Sequence, residues 1–134
     1  MFLMRKPLSE LLHIHYPNKA KTNEAFSFLQ DGDFVAGGCA LYAIALKALE
    51  PALEIVILKS VSGPEHCILK FGEHYYDADG KQSYREIINK LMSEFNCTIV
   101  SNEIVESINM EACAEIVDVG WDVRRFTAFM NMTI

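Results

Sequence analysis

From Cys39 to Ala48 apolar residues fill nearly every position, and only Lys47 interrupts them. A helix with so little polar face is buried on most of its circumference, so this stretch is expected to be the central helix of the domain. The polar, glycine-bearing "DGDFVAGG" leads into it, and two shorter helical patterns come before that. The first, "PLSELLHIHY", has Ser9 near its start and Pro17 as the residue expected to stop it. The second, "TNEAFSFLQ", has Thr22 or Asn23 as N-cap and sets Phe26 and Leu29 on one face.

After Pro51 the period changes. "LEIVILKSV" is short and β-branched, a strand by composition. "SGPE" turns the chain, "HCILKF" reads as a second strand, "GE" as a tight connection and "HYYDAD" as a third strand, which together make a hairpin. "SYREIINKLMSEF" follows as an amphipathic helix, with Ser83 and Glu86 in capping-box spacing and Ile87, Ile88, Leu91, Met92 and Phe95 on its apolar side. Further on, "CTIV" is a strand candidate, "NMEACAEIVDVG" a helix closed by Gly120, and "WDVRRFTAFMNMTI" fits either a last helix or a strand. The expected fold class is therefore α+β: a central N-terminal helix packed on a small antiparallel β-sheet with flanking helices.

Composition narrows the function classes. The 134 residues suit one domain, 1–134, and the 51% hydrophobic and 22% charged content is that of an ordinary globular chain. A net charge of -6 gives no basic stripe to neutralise phosphates, so nucleic acid is not an expected partner. The run from Cys39 to Leu46 has eight residues, too few to span a bilayer, and the N-terminus has no signal-peptide h-region. We therefore expect no membrane association and a cytoplasmic location. The four cysteines, Cys39, Cys67, Cys97 and Cys113, lack CxxC spacing and are expected to be free thiols in such a compartment.

The candidate chemistry begins at Cys39. A thiolate at a helix N-terminus is favoured by the unpaired first-turn N–H groups and the positive end of the helix dipole. Gly37 and Gly38 let the backbone approach a substrate and leave the first-turn amides, that of Ala40 among them, open as oxyanion donors. The competing reading is a small core residue, because free cysteine is among the most buried residue types.

The hairpin supplies partners. With Gly72 and Glu73 as a two-residue turn, Phe71 faces His74, Ile68 faces Asp77 and His66 faces Asp79. His66, Ile68, Tyr75, Asp77 and Asp79 then share one face, on which Asp77, one diagonal step from His66, can orient the imidazole. Asp79 is the rival orienter, although "DADG" gives it a turn role, and His74 is a rival base that points to the other face. Cys67 alternates with His66 and reads as inward-facing core that takes no part.

Cysteine at a helix start, histidine on a strand and aspartate on the next strand, carried here by "GGCALYAIAL" and "HCILKFGEHYYDADG", resembles the papain-like and transglutaminase-like cysteine hydrolase superfamily. The resemblance covers residues 37–80 and implies a papain-like core in which His66 opens its strand. It implies Cys39 as nucleophile, His66 as base and Asp77 as the residue fixing the imidazole tautomer. The oxyanion hole of such enzymes includes a glutamine side chain, and Gln30, nine residues before Cys39, is the upstream glutamine. The implied activity is that of a thiol-dependent hydrolase or acyltransferase (peptidase, amidase or transglutaminase-like), acting on a peptide, protein or small amide through a Cys39 thioester, with no cofactor. The alternative is an inactive papain-like domain that binds a protein partner. No tryptophan follows the cysteine, and only 26 residues separate Cys39 from His66, so the substrate cleft is expected to be minimal.

No metal site is expected. His13 and His15 with His66 or His74 could supply ligands, but an i, i+2 pair points to different sides of a helix. "DADGKQSYRE" puts Lys81 and Ile88 where a calcium loop needs oxygen ligands. Trp121 reads as a buried side chain first and a partner-binding anchor second.

Overall fold

A computed structural model describes residues 7–29, 38–106 and 123–131. Gln30, Gly37, Cys113, Trp121 and the helix expected over "NMEACAEIVDVG" lie outside the described residues. The fold is α+β, built on a five-stranded antiparallel sheet in the order β4-β3-β2-β1-β5. The strands are β1 (Glu54–Ser60), β2 (Gly63–Phe71), β3 (His74–Asp77), β4 (Gly80–Gln82) and β5 (Ser101–Val105).

Cross-strand pairs divide the core between the two faces of the sheet. Ile55 pairs with Leu69 and both belong to the larger cluster, whereas the next pair, Val56 and Ile68, belongs to the smaller one. This is the two-residue alternation of a strand buried on both sides. The larger cluster receives Leu41, Tyr42, Ala45 and Leu46 of α3 (Cys39–Leu49), Leu11, Leu12 and Tyr16 of α1 (8–20), and Phe126, Phe129 and Met130 of α5 (Val123–Asn131). The smaller one receives Ile87 and Leu91 of α4 (Tyr84–Phe95). The Ser83–Glu86 capping box starts α4, with both reciprocal hydrogen bonds at 3.1 Å. Between α1 and α3, the short α2 (Asn23–Phe26) is capped by the Thr22 side chain, which accepts from Ala25 N.

Four local expectations are corrected. Pro17 does not stop α1: Leu11–His15 forms a π-helical turn in which Tyr16 N–H donates to Leu11 O, and the helix continues over Tyr16–Ala20. The wider turn moves the His13 carbonyl, which a proline cannot satisfy, away from the clash that ordinarily ends a helix there. His66 does not open its strand, because Val61 and Ser62 close the first hairpin and β2 begins at Gly63. Pro64 is tolerated because the ladder is irregular between Leu58 and Lys59, opposite it. The third strand ends at Asp77, so His66 and Asp79 do not pair, and Gly80–Gln82 forms a further strand against it. Finally, "CTIV" is not a strand. Asn96, at φ 51, closes α4 in the left-handed region, Cys97 N–H returns to Leu91 O, and Cys97 and Ile99 pack into the smaller cluster. The ladder therefore begins only at Ser101.

Two glycines separate a backbone effect from a contact effect. Gly72 (φ +64) has open space where a Cβ would stand, while at Gly80 (φ +98) a Cβ would lie 3.0 Å from the His13 carbonyl oxygen. Gly72→Ala should cost roughly 1 kcal/mol of unfolding free energy, and Gly80→Ala roughly 3 kcal/mol, because the carbonyl must also move. Urea unfolding of both variants tests this; equal losses would mean that the π-helical turn yields freely.

Candidate functional site

Cys39 is the first residue of α3, His66 lies inside β2 and Asp77 is the last residue of β3. They are 7%, 3% and 2% exposed, so water screens their interactions little. The register Phe71↔His74, Lys70↔Tyr75, Leu69↔Tyr76 is that of a two-residue turn and carries His66 and Asp77 on the α4 side of the sheet. His66 Nε2 lies 3.7 Å from Asp77 Oδ2, an ion-pair separation longer than a hydrogen bond. The ring also lies within hydrogen-bonding reach of Cys39.

Asp77 is held from several directions. Its Oδ1 accepts from Asp79 N–H at 2.8 Å and Gln82 Nε2 at 2.7 Å, and its Oδ2 accepts from Lys90 Nζ at 2.5 Å. Burial acts to raise the Asp77 pKa, but the His66 ring, the Lys90 ammonium and the Asp79 amide outweigh it and bring it down to about 2. At neutral pH the group is a carboxylate. Burial likewise acts to lower the His66 pKa, and the neighbouring Asp77 carboxylate and Cys39 thiol overcome it, raising it to about 9. The Cys39 thiol is held well below its ordinary value, first by hydrogen bonding from the Cys67 thiol and then by His66, with burial acting in the opposite direction. These directions favour the thiolate–imidazolium form of the buried pair. Burial and the Glu65 charge push Cys97 the other way.

Cys67 is therefore not a bystander. Alternation does turn it away from His66 and toward α3, but α3 is the helix that carries Cys39. In this register residues 69 and 71 form the hydrogen-bonded pairs with β3, so the Cys67 N–H points to the same edge, where β3 has already left the sheet. That amide instead hydrogen-bonds to Cys39. On the Cys39 side, Tyr42 N–H donates to Gly38 O, and the amides before it, Ala40 included, have no acceptor within the helix. Gly38 has no side chain to cap them.

Sequence reasoning missed Lys90, Gln82 and Cys67 as members of the site. Lys90 flanks the buried Ile87–Leu91 stripe of α4, where a lysine ordinarily extends along the helix into solvent. Only its placement beside the end of β3 brings it to Asp77. Asp79 is exposed and serves Lys21 and Lys90 as an ion-pair partner. His74 is exposed and, with His13, lines a groove of about 580 Å³ between α1 and the β2–β3 hairpin that does not include Cys39, His66 or Asp77. Among the described residues no group of three or more His, Cys, Asp or Glu is arranged to hold a metal, and no helix is long and apolar enough to cross a membrane. No protein-family model, curated protein or solved structure matches the chain.

The Asp77 carboxylate stabilises the fold above its ordinary value of 3.8, and that contribution is lost as pH falls through about 2. The difference is worth roughly 2 kcal/mol. His66 has the opposite sign: its contribution is complete below 6.5 and is lost as pH rises through about 9. The lowered Cys39 pKa acts against this: its contribution is complete above the ordinary 9.0 and is lost as pH falls toward the lowered folded value, so between 6.5 and 9.0 the two oppose each other. Unfolding free energy should thus fall as pH drops below 6.5, where the Cys39 loss continues without a further His66 gain, and fall again below pH 4, with that last drop smaller by roughly 2 kcal/mol in Asp77→Asn. Cys67→Ala, which removes the leading hydrogen bond, should move the Cys39 thiol absorbance transition to higher pH; an unmoved transition would return Cys67 to the core.

Proposed function

We propose that this protein is a thiol-dependent hydrolase or acyltransferase, a minimal papain-like or transglutaminase-like domain whose nucleophile is Cys39. The observation that carries the reading is the assembly of Cys39, His66 and Asp77 from a helix start and two adjacent strands into one buried, charge-paired chain. A helix bearing the nucleophile against an antiparallel sheet bearing base and carboxylate also supports a papain-like core as the finer description of the fold.

In this reading the Cys39 thiolate attacks the carbonyl carbon of an amide or related acyl group, and the first-turn amides of α3 receive the charge that develops on oxygen. Collapse of the tetrahedral species breaks the bond to the leaving group, and the His66 imidazolium supplies the proton that the departing nitrogen needs. A Cys39 thioester remains. Water or an amine then attacks it, neutral His66 takes the incoming proton, and the thiolate is released. Asp77 stabilises the imidazolium throughout and does not itself exchange the proton.

Two measurements test the proposal. Brief iodoacetamide treatment near pH 6 should label Cys39 ahead of Cys67 and Cys97, and His66→Ala should slow that labelling about tenfold or more. p-Nitrophenyl acetate should leave an acetyl group on Cys39, detectable by mass spectrometry, with turnover lowered about 100-fold or more by His66→Ala and abolished by Cys39→Ala. Preferential labelling of another cysteine in the folded protein, or an acetyl group found elsewhere, would sink the assignment. Fast alkylation without any acyl transfer would favour an idle site that binds a partner.

A further inference from the structure

The feature that the proposed chemistry leaves unexplained is an ammonium beside the orienting carboxylate. Lys90 Nζ contacts Asp77 Oδ2 at 2.5 Å, Asp79 Oδ2 at 3.1 Å and Gln82 Oε1 at 3.1 Å, so three acceptors account for its three protons. The side chain is only 12% exposed, which removes most of the solvent screening that makes surface lysines weak partners. Asp77 Oδ2, the oxygen Lys90 occupies, is also the one facing His66 Nε2. His66 is left at 3.7 Å, while the second oxygen is taken by the Asp79 amide and Gln82. A carboxylate whose sole role was to hold the imidazolium would give His66 a direct hydrogen bond. Here the strongest bond goes elsewhere.

Resting on the proposed thiolate–imidazolium site, we propose that Lys90 is its positioning residue: by occupying the Asp77 oxygen nearest the ring, it keeps the carboxylate at ion-pair distance and limits how tightly the imidazolium is held. The chemical consequence concerns proton release. An imidazolium locked to an unshared buried carboxylate is a poor acid toward a leaving group, and one with no carboxylate leaves the thiol uncharged. Sharing Asp77 between Lys90 and His66 sets a strength between these limits. The charged and titratable groups around the pair are Cys39 and Tyr42 from α3, His66 and Cys67 from β2, Asp79 from the turn after β3, Lys90 from α4, and Lys21, which reaches Asp79 at 3.2 Å. Among these, Lys90 is the cation that touches Asp77 directly, and its loss leaves His66 as the remaining charged partner for a buried anion.

The test is an NMR titration of the His66 ring in the full chain, alongside the pH profile of Cys39 alkylation, for the parent, Lys90→Met, Lys90→Gln and Lys90→Arg. In Lys90→Met the His66 transition should move up by about one pH unit, a tenfold gain in proton affinity, and the alkaline inflection of the alkylation profile, where the imidazolium loses its proton, should move up with it. Lys90→Gln should follow Lys90→Met, and Lys90→Arg should restore parent behaviour, because it keeps the cation. Profiles that stay in place in folded Lys90→Met, or a His66 transition that moves down, would overturn the proposal. Failure of both neutral variants to fold would do the same by making Lys90 a structural ion pair. A parent Cys39 that titrates as an ordinary thiol would instead remove the underlying reading of the site, whatever the Lys90 variants do.

Discussion

A carboxylate with almost no access to water must be satisfied from within the protein, and Asp77 imposes that requirement on four parts of the chain at once. The turn after β3 gives the Asp79 amide, β4 gives Gln82, α4 gives Lys90 and β2 gives the His66 ring. Each donor is cheap to supply because its element is already held by apolar packing: Ile87 and Leu91 seat α4, and Ile68 seats β2. The polar centre is thus built on the smaller of the two hydrophobic clusters. It charges one end of the sheet face that carries Val56, Leu58 and Ile68.

The same residue shapes the edge at which the thiol sits. By accepting the amide of Asp79 two residues on, the Asp77 side chain forms the local turn that takes β3 out of the ladder. Because β3 is so short, β2 keeps an open edge beside Cys67, and the N-terminus of α3 can approach there. One side chain therefore ends a strand, opens a site and charges it. The bond from the Asp79 amide to Asp77 links local turn chemistry to the proposed catalytic geometry.

Conventional hydrophobic burial does the remaining work. The side of the sheet that α3 covers is lined with Leu41, Ala45, Leu46, Leu53, Ile55 and Leu69, all at 0–1% exposure. A helix with apolar residues nearly all round is stable only between layers, and α1, α5 and the sheet supply them. The first residue of such a helix cannot drift, so Cys39 is fixed relative to β2 by packing in which the thiol takes no part.

What the sequence determined by itself was whatever a short window of residues can fix: the buried helix from its unbroken apolar run, α4 from its capping box, and the face shared by His66 and Asp77 from the two-residue turn at Gly72 and Glu73. Each rests on a local period or a local hydrogen bond. Pro17 escaped the same logic because a π-helical turn accommodates it, and "CTIV" escaped it because Cys97 and Ile99 were claimed by the cluster under α4. Lys90 and Cys67 were beyond any local rule. Lys90 is a surface lysine by pattern, and Cys67 a core residue by alternation, until β3 ends early and brings α4 and α3 to the exposed end of β2. Coulombic and hydrogen-bonded partners are chosen by distance in space, and only tertiary packing sets the distances between residues so far apart in the chain.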